Sequence, residues 1–132
     1  MTIEAYNKLQ RYENKNQIAI DFDNVIHANS KGFYDGTIYD EPVAGAKEAL
    51  QQLSIKYDII IFTAKAKPDR PFINGKTGVE LIWDWLERYD MLAYIKQVTS
   101  EKPRAVAYID DKAITFTNWG NCIGELKLKN II

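Results

Sequence analysis

Residues 18–27 read Ile18-Ala19-Ile20-Asp21-Phe22-Asp23-Asn24-Val25-Ile26-His27. An apolar, β-branched run that stops at two carboxylates two residues apart predicts a buried strand whose acids follow it into the loop at its end. In an open α/β sheet, ligands bind in the crevice beyond the carboxyl ends of the strands. Two like charges about 4 Å apart at an effective dielectric near 20 repel by roughly 4 kcal/mol, so such a pair ordinarily shares a proton or a cation. A solvated strand end with two ordinary aspartates is the bland alternative.

Two further runs end in the same manner. Asp58-Ile59-Ile60-Ile61-Phe62-Thr63 closes on a hydroxyl, and Ala105-Val106-Ala107-Tyr108-Ile109-Asp110-Asp111 closes on two more acids, with Lys102 just before it. A third strand is predicted over residues 92–98. Between the first two runs, Val43, Ala46, Ala49, Leu50 and Leu53 recur at helical spacing. Asp40-Glu41-Pro42 reads as the start of that helix, with acids at the positive end of its dipole and proline in its first turn. Strand, helix and strand in succession are the βαβ grammar of a parallel sheet. Thr77 is placed to cap a second helix after the Asn74-Gly75-Lys76 turn. In that helix Val79, Ile82, Trp83 and Leu86 share a face, which puts Trp83 in the core and leaves Trp85 off it.

The ordered set of Asp21-x-Asp23, Thr63, Lys102 and Asp110-Asp111 resembles the haloacid dehalogenase-like (HAD) phosphohydrolase superfamily, over about residues 17–120. The resemblance implies a Rossmann-like three-layer sandwich with a mostly parallel sheet of about five strands, and an aspartyl-phosphate formed on Asp21. A carboxylate suits that task because it is ionised at neutral pH, and covalent catalysis divides one hard displacement into two easier ones. Asp23 matches the general acid and base, for which a pKa above that of a free carboxylate is expected. Thr63 matches the hydroxyl that bonds the transferring phosphoryl group, with Ala64 offering its backbone N–H and Lys102 supplying the neutralising cation. Lys65 and Asn24 fall at substrate-contacting positions. Asp21, Asp110, Asp111 and the backbone carbonyl of Asp23 match a metal site, and hard oxygen ligands beside a phosphate suit Mg²⁺. The resemblance places Asp111 on the direct ligand and Asp110 behind it or acting through water, and a shift of one residue exchanges the two.

The chain departs from the superfamily pattern at three positions: Val25 where threonine is common, Asn24 where glycine is common, and Lys65 where many relatives have arginine. Asn tolerates a left-handed turn better than most residues. His27, without a second His or Cys as co-ligand, is read as a packing or hydrogen-bonding residue. Residues 28–42, with Gly32 and Gly36, suggest a short hairpin flap. Its Phe33, Tyr34 and Tyr39 either line the substrate entrance or pack the flap on the body. Lys65, Lys67 and Arg70 give the loop after Thr63 the charge to hold a phosphate dianion. Neither gap between motifs holds a separate cap domain. An open site suits a phosphorylated small molecule, nucleotide, sugar phosphate or nucleic-acid end, or closure by a second copy in a homo-oligomer.

At 132 residues with a formal net charge of −1, the chain reads as one domain, residues 1–132, with no global attraction to nucleic acid or membrane. No apolar run approaches the ~20 residues that span a bilayer. One cysteine, Cys122, forms no internal disulfide and points to a reducing cytoplasm. Tyr6, Leu9 and Tyr12 suggest a short leading helix, and the tail over 121–132 suggests an edge strand guarded by lysines. Ala113, Ile114, Phe116 and Trp119 are expected to pack behind the Asp-Asp turn. A metal-dependent nuclease, a receiver-type signalling domain and a non-catalytic phosphate-binding module are the competing readings. The acid at Asp23 argues against the receiver, and a nuclease has no need of Thr63 and Lys102.

Overall fold

Four strands carry the motif residues at their carboxyl ends: β1 (Gln17–Ile20), β2 (Asp58–Phe62), β3 (Ile95–Thr99) and β4 (Tyr108–Ile109). They are seen in a computed structural model that describes residues 2–4 and 16–132. The sheet order is β3-β2-β1-β4, and every neighbouring pair is parallel. From β1 the chain runs through α1 (Ala46–Ser54) to β2, and through α2 (Gly78–Arg88) to β3, before crossing back to β4 on the far side of β1. The crevice between β1 and β4 is therefore the place where the strand order reverses, which is where open parallel sheets bind ligands. The sheet has four strands among the described residues, where about five were expected. The expected leading helix at Tyr6–Tyr12 lies outside them.

The sheet's registry explains its core. Ile18 and Ile20 pair with Ile59 and Ile61, and all four enter one cluster with Leu50 of α1 and Ile82, Trp85 and Leu86 of α2. Ile60, of opposite parity, is also fully buried, so β2 is covered on both faces as a central parallel strand must be. Burying each such side chain is worth about 1.5–3 kcal/mol. The expected strand over 92–98 starts at Ile95, because Leu92–Tyr94 form a single 3₁₀ turn. β4 is only two residues long, yet Ala19 N–H to Ala107 O and Val106 N–H to Gln17 O extend its bonding to β1.

Helix ends correct several expectations. Thr77 does cap α2, in a reciprocal capping box with Glu80. Asp40-Glu41-Pro42, in contrast, does not open α1, which starts at Ala46 after Gly45 at φ 84°. The Asp40 carboxylate is taken instead by the N–H groups of Ser30 and Glu41. In α2 it is Trp85 that is fully buried, while Trp83 lies at the margin of the core. Its buried residues Ile82, Trp85 and Leu86 fall at i, i+3 and i+4 on one face, and the Trp85 indole N–H reaches the 28–42 segment at Asp40 O.

The tail forms a helix rather than an edge strand: α3 (Trp119–Leu128), capped by the Asn118 side chain on Asn121 N–H. Phe116 and Trp119 are exposed and pack edge-to-face on each other at 5.1 Å, instead of behind the Asp-Asp turn. Cys122 is a free, half-buried thiol. No helix among the described residues is long and apolar enough to cross a membrane.

Candidate active site

Three carboxylates meet at the reversal point. β1 delivers Asp21 and β4 delivers Asp110 and Asp111, and one oxygen from each lies within 4.8 Å of the others. Adjacent strands enforce the meeting, since Asp21 N–H donates to Ile109 O at 2.9 Å. The acids share a cleft of about 330 Å³ with Asp23, Asn24, Thr63, Ala64, Lys65 and Arg70. Burial pushes the Asp21 carboxyl up to about 6; the Phe22 N–H bond opposes this, and the charges of Asp110, Asp111 and Asp23 add to it. Converging carboxylate oxygens with an excess of negative charge are groups that could hold a hard divalent cation.

The loop that carries Asp21 and Asp23 is wound around one carbonyl. Phe22 O accepts from the N–H groups of Val25, Ile26 and His27, and the buried Phe22 and Ile26 side chains pin the turn to the core. Asn24 occupies the left-handed region at φ 68°, a conformation that Asn adopts with less strain than most residues. Its N–H donates to His27 O at 2.8 Å.

Asp23 lines the cleft but stands apart from the three-carboxylate cluster. Its Oδ1 accepts from Lys65 Nζ at 3.0 Å and faces His27 Nδ1 at 2.9 Å. Burial pushes its pKa up, but the hydrogen bonds from His27 and Lys65 and the Lys65 charge outweigh burial and hold it below the ordinary value. The expected elevation is thus reversed, because the two donors favour the ionised form.

Thr63 directly follows β2, buried, and caps a single 3₁₀ turn over Ala64–Ala66, its Oγ1 accepting from Lys65 N–H at 3.3 Å. That turn carries the Lys65 side chain inward. Gly78 makes it possible, since a Cβ there would lie 1.8 Å from Lys65 O. The cation expected from Lys102 is placed differently. Lys102 is exposed, in an adjoining cleft with Asp21 and Asp110, and its ammonium sits over the Tyr108 ring at 4.8 Å. Among the described residues, the buried cation beside the acids is Lys65.

The 28–42 segment is a turn-rich loop rather than a hairpin. It is closed at its base by Ala28 N–H to Glu41 O and Val43 N–H to Ile26 O. Tyr39 OH binds it internally, accepting from Lys31 N–H and donating to Gly32 O, which is the self-packed form of a compact loop. Trp85 Nε1 donates to Asp40 O at 2.9 Å and fixes the loop to α2. Phe33 lines the cleft and stacks under the Arg70 guanidinium at 5.5 Å, whereas Tyr39 packs on His27. Lys67 does not line the cleft; Asn29 and Lys112, which carry no motif signal, do. A second, mostly apolar cleft of about 210 Å³, walled by Ile38, Ile73 and Leu81, shares Phe33, Lys65 and Arg70 with the first.

A scan against protein-family models finds no match to this chain, and neither a search of curated proteins nor one of solved structures finds a similar protein.

Proposed function

We propose that this chain is a Mg²⁺-dependent phosphomonoester hydrolase of the HAD-like kind, on a Rossmann-like three-layer fold, acting through an aspartyl-phosphate on Asp21. The observation that carries the reading is the convergence of Asp21, Asp110 and Asp111 within 4.8 Å at the strand reversal, beside Thr63, Lys65 and a separately held Asp23.

In the first half-reaction an Asp21 oxygen attacks phosphorus, the bond to the ester oxygen breaks, and Asp23 gives that oxygen a proton. In the second, Asp23 takes a proton from water as the water attacks phosphorus, which frees inorganic phosphate and restores the Asp21 carboxylate. Asp23 rests ionised, so it is ready for the second step. It takes up the proton for the first when a phosphate dianion enters and adds negative charge next to it. Thr63 Oγ1 and Lys65 donate to the phosphoryl oxygens, and Arg70 stands at the cleft wall for the same charge. Asp21, Asp110 and Asp111 would hold Mg²⁺, which when bound offsets their mutual repulsion and the charge of the phosphoryl group. The adjoining apolar cleft is open to the organic part of a small phosphoester, and the open acidic cleft, with no cap domain between its motifs among the described residues, suits a nucleic-acid end as well. A free Cys122 agrees with a reducing cytoplasm.

The test is phosphate release from a panel of monoesters, with and without Mg²⁺, beside Asp21→Asn. Mg²⁺-dependent release that the variant lacks supports the reading. Absence of release across the panel from folded protein rejects it in favour of a nuclease or a binding module, and equal release by the variant rejects Asp21 as nucleophile.

A further inference from the structure

His27 is the single histidine of the chain, and its ring is fully buried, stacked on Phe22 and met edge-on by Trp85 and Tyr39. Both ring nitrogens are committed. The backbone N–H of Asp40 points at Nε2 from 3.0 Å. An amide N–H can only donate, so Nε2 must present its lone pair, and the ring proton belongs on Nδ1. Nδ1 in turn lies 2.9 Å from Asp23 Oδ1, where its proton is donated. Because Nε2 is occupied by the amide, the ring is closed to a metal ion on that side and has no contact with the cleft of its own.

The consequence falls on Asp23. Its Oδ1 receives two donors, His27 Nδ1–H and Lys65 Nζ, while Oδ2 has no hydrogen-bond partner among the described residues. A proton on Oδ1 would displace one of those donors, so the proton that Asp23 exchanges with substrate and water resides on Oδ2. We propose that His27 is a positioning residue for this proton transfer: it locks Oδ1 and the carboxylate plane, leaves Oδ2 to the ester oxygen, and is itself held in the required tautomer by the Asp40 amide of the 28–42 loop. The inference rests on the phosphatase reading and deepens it. A general acid must stand within about 2.6–3.2 Å of the oxygen it protonates, and a misplacement near 1 Å costs on the order of 10²-fold in rate.

A positioning role for an acid has a kinetic signature that a packing role lacks. An aryl oxide such as p-nitrophenolate departs without a proton, whereas an alkoxide must be protonated as it leaves. The experiment measures kcat/KM on p-nitrophenyl phosphate and on glycerol phosphate for the wild type, His27→Phe and His27→Asn. His27→Phe keeps a ring and loses the donor; it is expected to lose roughly 10²-fold or more on the alkyl ester and only a few-fold on the aryl ester. His27→Asn places an amide donor near the Nδ1 position and should regain part of the alkyl activity. Equal losses on the two esters would make His27 a packing residue and overturn the proposal, as would unchanged activity on both. Wild-type inactivity toward both esters and across the monoester panel would instead reject the phosphatase reading itself; where the panel yields another alkyl and aryl pair that the wild type turns over, the same comparison is read on that pair.

A second measurement does not depend on the variants folding. The imidazole ¹⁵N shifts of the one histidine should show a protonated Nδ1 and an unprotonated Nε2 in the wild-type protein. The opposite tautomer would overturn the proposal.

Discussion

Lys65 Nζ lies 3.0 Å from Asp23 Oδ1 across 42 residues of sequence, with only 9 % of its side chain exposed. A lysine is rarely buried without a partner that repays its desolvation, and here the partner is one of the two acids that follow β1. Lys102 has no comparable tie. Its ammonium is spent on the Tyr108 ring, a contact worth about 0.5–1 kcal/mol at an exposed site.

The two lysines are therefore predicted to differ in weight. Lys65→Met keeps most of the side-chain volume and removes the charge, and phosphate release should fall by about 10²-fold, the usual cost of deleting one donor to a developing oxyanion. The same change at Lys102 is expected to cost less than 10-fold under the same conditions. Steady-state kinetics on a single good monoester check this. A larger loss at Lys102 would return the neutralising role to that residue and make Lys65 a structural partner of Asp23.

Asp21 sets a pH dependence whose sign can be worked out. Its carboxyl has an ordinary value of 3.8 and is pushed to about 6 in the fold, chiefly by burial. Between those values the native chain binds more protons than the unfolded chain, so Asp21 makes the metal-free protein less stable as pH rises through this window. Asp21→Asn removes that loss. Without metal, the variant should melt at about the wild-type temperature near pH 4 and above it near pH 7. Adding Mg²⁺ near pH 7 should raise the melting temperature of the wild type and not that of the variant. A melting difference between the two proteins that is the same at both pH values would remove Asp21 as its source.

Much of this site was legible because its acids and hydroxyl sit at the ends of strands. An apolar run bounded by Asp or Thr declares its direction locally, and parallel pairing then brings the ends of β1, β2 and β4 to one edge of the sheet. The cation was not legible in that way. Whether Lys65 or Lys102 turns inward depends on a 3₁₀ turn after Thr63 and on the room left by Gly78, neither of which leaves a periodic signal. Trp85, left open beside Trp83, completes the buried face of Ile82, Trp85 and Leu86 at i, i+3 and i+4; the face drawn through Val79, Ile82, Trp83 and Leu86 shares two of those residues, so spacing alone did not choose between the two tryptophans. The alternation at Leu126-Lys127-Leu128-Lys129 spans only four residues, too few to outweigh the Asn118 cap that starts α3.

Gly78 supplies a test of how the lysine is seated. A methyl group at this position would meet Lys65 O at 1.8 Å, and a backbone carbonyl cannot turn away as a side-chain tip can. Gly78→Ala should destabilise by about 1–3 kcal/mol or more through overpacking, and the remaining folded protein should show a greater loss of kcat than Gly75→Ala. Gly75 has a left-handed φ of 75° but open space around it, so its replacement costs about 1 kcal/mol of backbone strain with no displacement of Lys65. Chemical denaturation and kinetics on both variants decide the matter. Equal effects of the two substitutions would show that the Gly78–Lys65 contact relaxes at no cost.

The 28–42 loop depends on Trp85 more than on any strand pairing of its own. The indole N–H to Asp40 O bond, 2.9 Å long, holds the same residue whose N–H faces His27 Nε2. Trp85→Phe preserves an aromatic ring against Phe22 and deletes that donor, at a net cost of about 1 kcal/mol for the bond plus the smaller ring's lost packing. Because the loss falls at the loop's attachment, amide exchange at Ala28 and Val43, whose N–H groups close the base, should accelerate by about 10-fold or more while β2 amides change less. Trp83→Phe, at the margin of the core, serves as the comparison and should leave Ala28 and Val43 near wild-type protection. If both variants speed exchange uniformly through the sheet and the loop, Trp85 contributes to global packing alone and the loop has another anchor.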